Sequence, residues 1–84
     1  MHTTALLPRL VSSRTTGDDR LLRQLRSALR DTGYAALERI GCQMQEGDVV
    51  LSGRLSSYYL KQMAQETALR TVTVGRVHNQ IRVD

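Results

Sequence analysis

The sequence predicts an α+β domain of order αββαβ, with two helices packed on one face of a three-stranded sheet. Apolar residues recur at helical spacing in two segments and alternate with polar residues in three others. The length of 84 residues suits one domain. Apolar residues make up 40% of the chain, and because Trp and Phe are absent, smaller side chains must fill the core.

The N-terminal residues 1–17 mix Thr, Ser and Arg with a single Pro and show no periodicity, which predicts a flexible tail. The folded domain is therefore expected over residues 18–84. Its first helix is predicted from Asp18 to Thr32, because leucines recur there every three or four residues. Gly33 is well placed to end this helix in a left-handed conformation.

Two strands are predicted next, over residues 37–45 and 49–55, because apolar and polar residues alternate in both. Glu46, Gly47 and Asp48 have the composition of a hairpin turn between them. Gly53 has no side chain, which predicts that a helix or loop backbone passes close to the second strand.

Ser56 or Ser57 is the predicted N-cap of the second helix, which should end near Arg70. The last strand is predicted over residues 72–83, with an irregular start at Gly75. Asn79 falls on its inward face, where we expect it to satisfy backbone groups. The predicted core consists of Leu25, Leu29, Ile40, Leu51, Met63, Ala64 and Ile81.

Alternation leaves the other sheet face open and basic, and we expect no acidic residue on it. Such a face favours binding of an anionic surface, although a polar sheet face is also typical of simple solvation. The candidate binding residues are Arg39, Arg54, Arg76, His78 and Arg82.

The charge is compatible with an anionic partner, since the formal net charge is +4 and eleven of the twelve basic residues are Arg. No catalytic constellation is visible. His2 and His78 have no obvious catalytic partner, and Cys42 falls on an inward strand face. We therefore predict a non-enzymatic module with no metal site, no cofactor and no small-molecule substrate.

The sequence offers no candidate membrane span, because no apolar run approaches about 18 residues. The single cysteine excludes an internal disulfide, and the N-terminus lacks the apolar stretch of a secretory signal. The chain as given is predicted to be cytoplasmic, or envelope-associated if a signal has been removed.

Three segments resemble the BON domain of bacterial envelope and stress proteins over Asp18 to Val83. The stretch Gly47–Leu55 is similar to the family pattern Gly-x-Val-x-Leu-x-Gly-x-Val, and Lys61 and Ala64 match its second helix. The ending Val77–Val83 resembles Val-x-Asn-x-Ile-x-Val. One departure is Arg76, which separates Gly75 from Val77, whereas the family usually has an adjacent Gly-Val pair there.

The resemblance implies an adaptor role at the bacterial envelope, with phospholipid binding, a place in the stress response and no active site. An anionic phospholipid surface or an acidic protein is the expected partner. Protein–protein binding or self-association through the sheet edges is the alternative, and the oligomeric state is left open. Nucleic-acid binding is less favoured, because the open face has no predicted aromatic side chain for base stacking.

Overall fold

The computed structural model describes residues 2–73 and 75–84, with side chains described from Gly17 onward. The elements, in chain order, are α1 (His2–Asp31), a 3-10 helix (Ala35–Glu38), β1 (Gly41–Gln45), β2 (Asp48–Ser52), β3 (Arg54–Leu55), α2 (Tyr58–Thr71), β4 (Val77–Asn79) and β5 (Arg82–Val83). This architecture confirms the α+β class. The second and third predicted strands are each present as two short strands.

The first helix is longer than the sequence predicted, since α1 begins at His2 rather than at Asp18. The predicted flexibility of residues 1–17 stays a prediction, and Met1 and the side chains of residues 2–16 lie outside the described part. The helix ends at Asp31, and Gly33 has the predicted left-handed conformation just beyond it, with a φ of +85°. The Gly33 N–H donates to the Arg30 carbonyl at 3.1 Å.

The first strand starts later than predicted, because Leu37 lies in the 3-10 helix rather than in β1. The N–H of Leu37 donates to the Tyr34 carbonyl at 3.0 Å, and its side chain is fully buried in the core. The alternation of apolar residues could not distinguish a strand from a 3-10 helix at Leu37, since one turn of 3-10 helix also buries a single apolar side chain.

The hairpin turn contains only Glu46 and Gly47, because Gln45 pairs with Asp48 across the antiparallel β1 and β2. Both turn residues have positive φ, 52° and 87°. These values are typical of the type I′ turn, whose twist matches that of the flanking strands. Asp48, which was predicted in the turn, is therefore the first residue of β2. The alternation of that strand sets the direction of its side chain.

The strands form a three-stranded sheet, as predicted, in the order β1–β2–β4, and a small second sheet of β3 and β5. Val49 pairs with Val77 and Arg54 with Arg82 in parallel, and both pairs keep the same residue offset. A break separates β2 from β3, and another separates β4 from β5. Hydrogen bonding continues across these breaks, since the Arg82 N–H donates to the Gly53 carbonyl at 2.8 Å. The breaks therefore bend the two strands without shifting their register.

Gly53 marks the break between β2 and β3, with a φ of +120° that side-chain-bearing residues rarely adopt. Of the two predicted neighbours, a helix or a loop, the structure shows the loop. A Cβ built on Gly53 would lie 3.6 Å from the Ile40 Cα, an ordinary contact with the residue that precedes β1. The backbone conformation, rather than crowding by a helix, requires glycine here.

Asn79 fastens β4 to α2, in agreement with its predicted structural role. Its Nδ2 donates to the Lys61 carbonyl at 3.1 Å and to Gln65 Oε1 at 3.2 Å. Its Oδ1 accepts the N–H of Ile81 at 3.2 Å, where the chain leaves the ladder between β4 and β5. The side chain thus satisfies a backbone donor at the break.

The core lies between the two helices and the sheet. Of the predicted core, six residues are buried and Met63 is partly buried against them. The buried cluster consists of Leu25, Leu29, Leu37, Ile40, Cys42, Val49, Leu51, Leu55, Ala64, Ala68, Val72 and Ile81. The predicted cap of α2 is Ser57, whose hydroxyl accepts the Leu60 N–H at 3.2 Å.

Candidate anion-binding surface

The open face of the sheet is formed by the side chains that point away from the helices. Its centre is Val50, which is only 6% exposed because it lies between Gln43 of β1 and His78 of β4 in the sheet register. Charged residues occupy both ends of the face along the strand direction. The two ends differ in how far their charges are compensated.

One end carries arginines on neighbouring strands. Arg54 of β3 lies directly opposite Arg82 of β5, and both are exposed. Adjacent strands are about 4.8 Å apart, so the two side chains leave the sheet side by side. Arg39 is exposed beside Ile40, which packs against Gly53, the neighbour of Arg54. We call Arg39, Arg54 and Arg82 the arginine end.

The counter-charge at the arginine end is weak. Arg54 Nη1 lies 3.8 Å from Asp84 Oδ2, and the two side chains are 68% and 64% exposed. An ion pair this exposed and this long contributes little, because water screens both charges. Within the part of the chain that the structure describes, Arg39 and Arg82 make no ion pair. The arginine end is therefore available to an external anion.

At the opposite end of the face, the acidic side chain of Asp48 lies beside the basic residues. Its Oδ2 lies 3.0 Å from His78 Nε2, and its Oδ1 accepts the backbone N–H of Arg76 at 3.0 Å. The hydrogen bond from His78 lowers the pKa of the Asp48 carboxyl, with a further contribution from the Arg76 N–H. The negative charge of Asp48 therefore lies between the basic residues of this end.

The prediction that no acidic residue lies on the open face is therefore wrong, since both Asp48 and Asp84 compensate basic residues there. The signal was present in the sequence. Asp48 shares the alternation of Arg54, and Asp84 shares that of Arg82. Because Asp48 was assigned to the turn, the face on which its side chain lies was not predicted. Hairpin register depends on the number of turn residues.

The structure separates the five predicted binding residues into two groups. Arg54 and Arg82 are neighbours, and Arg39 precedes Ile40 in the chain, outside the strands at the end of the 3-10 helix. Arg76 and His78 lie at the other end of the face with Asp48. A strand rises about 3.3 Å per residue, so Arg76 and Arg82 are about 20 Å apart and cannot share one phosphate.

The thiol of Cys42 lies on the inward face of β1 and is buried, as predicted. Burial raises the pKa of this thiol, which disfavours the reactive thiolate. Among the described residues, no three His, Cys, Asp or Glu side chains are grouped as metal ligands would be. None of the described helices combines the length and the apolar character needed to cross a bilayer.

Comparison with known proteins agrees with this architecture. The family model described as BON domain matches residues 17–84, which is most of the chain. Searches of curated proteins and of solved structures found no match. The family match covers every strand, α2 and the part of α1 that packs on the sheet. The chain therefore belongs to the BON domain family.

Proposed function

We propose that this chain is a non-catalytic binding module whose arginine end binds the headgroups of anionic phospholipids. The observation that carries the proposal is the pairing of Arg54 with Arg82 on adjacent strands, where both are exposed and, among the described residues, one long ion pair opposes their charge. A guanidinium group presents a planar fork of donors that matches phosphate oxygens bidentately. Two such forks side by side suit a surface of closely spaced phosphates.

The expected affinity is modest. A basic residue close to an anionic membrane contributes about 1 kcal/mol, so the three arginines together supply about 3 kcal/mol. These contacts are exposed, and the interaction should weaken with added salt, since the Debye length is about 8 Å at physiological ionic strength. Such a module is suited to reversible association with an envelope surface rather than to permanent anchoring.

Lipid is favoured over nucleic acid by the placement of the aromatic rings. Single-stranded readers stack bases on exposed aromatics of the binding face. Here Tyr58 and Tyr59 belong to α2, which packs on the helix side of the sheet. Tyr34 packs edge-on against Tyr59, with ring centroids 6.1 Å apart, so it lies on that side too.

A flotation experiment tests the proposal. The protein is mixed with vesicles of phosphatidylcholine alone or with phosphatidylglycerol, and recovery in the lipid fraction is measured. We expect recovery only with the anionic vesicles. The double variant Arg54→Gln with Arg82→Gln should bind about 30-fold more weakly, since two contacts of about 1 kcal/mol are lost. Removing two like charges from adjacent strands should not destabilise the fold.

The matched control is Arg20→Gln with Arg23→Gln, which changes the net charge equally on exposed positions of α1. This control should bind like the parent protein. If both double variants lose binding equally, overall charge drives association and the arginine end has no special role. Equal recovery of the parent with neutral and anionic vesicles would reject phospholipid-headgroup recognition.

The proposal includes a place at the bacterial envelope and in the stress response, as the family resemblance implies. Fractionation of host cells tests the first part. The protein should sediment with membranes at low salt and be released by high salt. Recovery in the soluble fraction under both conditions would contradict an envelope association.

A further inference from the structure

The outer edge of β1 carries backbone groups that β2 does not use. The Val49 N–H donates to the Arg76 carbonyl, and the Leu51 carbonyl accepts the Gln80 N–H, both at 2.8 Å. The backbone groups of Val49 and Leu51 therefore point toward β4. Alternation directs those of the neighbouring β2 residues toward β1. Cys42 and Met44, which pair with Leu51 and Val49, thus direct their N–H and C=O groups away from the sheet.

This edge lacks the features that usually prevent strands from pairing. The β1 sequence Gly-Cys-Gln-Met-Gln contains no charge and no Pro, and it pairs residue for residue with β2, without a bulge. Among the described residues, no strand pairs with its outer side. Arg26 Nη1 donates to the Ile40 carbonyl at 3.3 Å, which occupies only the position just before the strand.

The opposite edge of the sheet is less suited to a partner strand. It is interrupted between β4 and β5, and the N–H of Ile81 is already bonded to Asn79 Oδ1. Interrupted strands, and backbone N–H groups already bonded within the molecule, are typical of sheet edges that do not pair with another chain. The molecule therefore has one edge that is closed to strand addition and one that is open to it.

We propose that a second copy of this chain pairs with the β1 edge, antiparallel to it, about a twofold axis at Gln43. In this register Cys42 lies opposite Met44 of the second copy, and the two residues exchange both N–H to C=O hydrogen bonds. The twofold axis generates the same pair of hydrogen bonds between Met44 and Cys42 of the second copy. The same surface thus serves both copies, as a twofold interface requires.

The charges beside β1 select this occupant and this direction. The register places Ile40 opposite Glu46 of the second copy. Arg39 and Arg26 lie beside Ile40, and their two positive charges outnumber the one negative charge of nearby Glu38. A positive end therefore meets a negative end twice across the axis. A parallel arrangement would instead place Arg39 beside Arg39. At the axis, Gln43 meets its own copy, and two amide side chains can hydrogen-bond to each other.

Sedimentation velocity over a concentration series tests the dimer. The edge is short and the interface falls below about 1,200 Å², so we expect a Kd of roughly 0.1–1 mM. Gln43 is exposed, and Gln43→Lys or Gln43→Glu leaves the core intact. Each variant alone sets like charges directly opposite each other, which should raise the Kd at least tenfold. An equimolar mixture of the two should associate at least as tightly as the parent.

The matched control is Gln80→Lys, which adds the same charge at an exposed position on the opposite edge and should dimerise normally. Amide NMR of the parent should show concentration-dependent shifts at Cys42 and Met44. A parent that stays monomeric at about 1 mM, or a mixture no tighter than either variant alone, would overturn the proposal. Shifts confined to the helices would also overturn it. Because Gln43 lies outside the arginine end, these outcomes are independent of phospholipid binding.

Discussion

Substitution of Gly75 by Ala tests the packing that joins β4 to the hairpin. Gly75 has a φ of +85°, and a Cβ built on it would overlap the carbonyl oxygen of Gly47. Gly33 has the same φ, and nothing lies within 4 Å of its built Cβ. The positive φ costs about 1 kcal/mol in each alanine variant. Overlap with a backbone atom adds about 1–3 kcal/mol at Gly75 only, as overpacking does.

We therefore expect Gly33→Ala to lose about 1 kcal/mol of unfolding free energy and Gly75→Ala about 2–4 kcal/mol. The larger loss is expected because the neighbouring bonds must also shift. These are the Arg76 N–H to Asp48 at 3.0 Å and the Val49 N–H to the Arg76 carbonyl at 2.8 Å. Urea unfolding followed by circular dichroism measures both variants. Losses equal within about 0.5 kcal/mol would refute the close approach of Gly75 to the turn.

Two further predictions concern the core and pH. Leu51→Ala should cost about 2–5 kcal/mol, because Leu51 is fully buried; a urea-unfolding loss below about 1 kcal/mol would show that its site collapses freely or is not core. Folding lowers the pKa of Asp48, so its contribution is present above the ordinary Asp pKa of about 4 and is lost as pH falls through the lower folded value. The stability difference between the parent and Asp48→Asn should therefore shrink between about pH 5 and pH 2, and a constant difference would show that Asp48 is not stabilised as a carboxylate.

Much of the fold was predictable because buried residues recur every three or four positions in the helices and every two positions in the strands. Leu25 and Leu29 follow the helical repeat, and Leu51 and Ile81 follow the strand repeat, so six of the seven residues predicted in the core are buried. The strand breaks were not predictable. The break at Gly53 depends on a positive φ, and the break between β4 and β5 depends on the hydrogen bond that the Ile81 N–H donates to Asn79 Oδ1. Neither changes the alternation of side chains.

The candidate site was predicted at the level of the face and not at the level of neighbours. Alternation places Arg54, Arg76 and Arg82 on the same side of the sheet. It does not say that Arg82 pairs with Arg54 while Arg76 lies near Asp48, because that depends on the parallel register between strands distant in sequence.

The tyrosines show a similar limit. The size of Tyr58 and Tyr59 would favour burial, yet they are 70% and 60% exposed. The inward face of α2 is set further along the helix, by Ala64, Thr67 and Ala68. The first turn of a helix can therefore present large side chains to solvent, even where they are the bulkiest apolar groups nearby.

Residue-resolved NMR titration with lipid bicelles tests the central claim most directly. The amides of Arg54, Arg82 and Arg39 should shift in a saturable way with bicelles containing phosphatidylglycerol, and should stay unchanged with phosphatidylcholine alone. The amide of His78, at the compensated end of the same face, should move least. Shifts confined to α1 or to the tyrosines of α2, or equal shifts with both lipids, would contradict the assignment of anion binding to the arginine end.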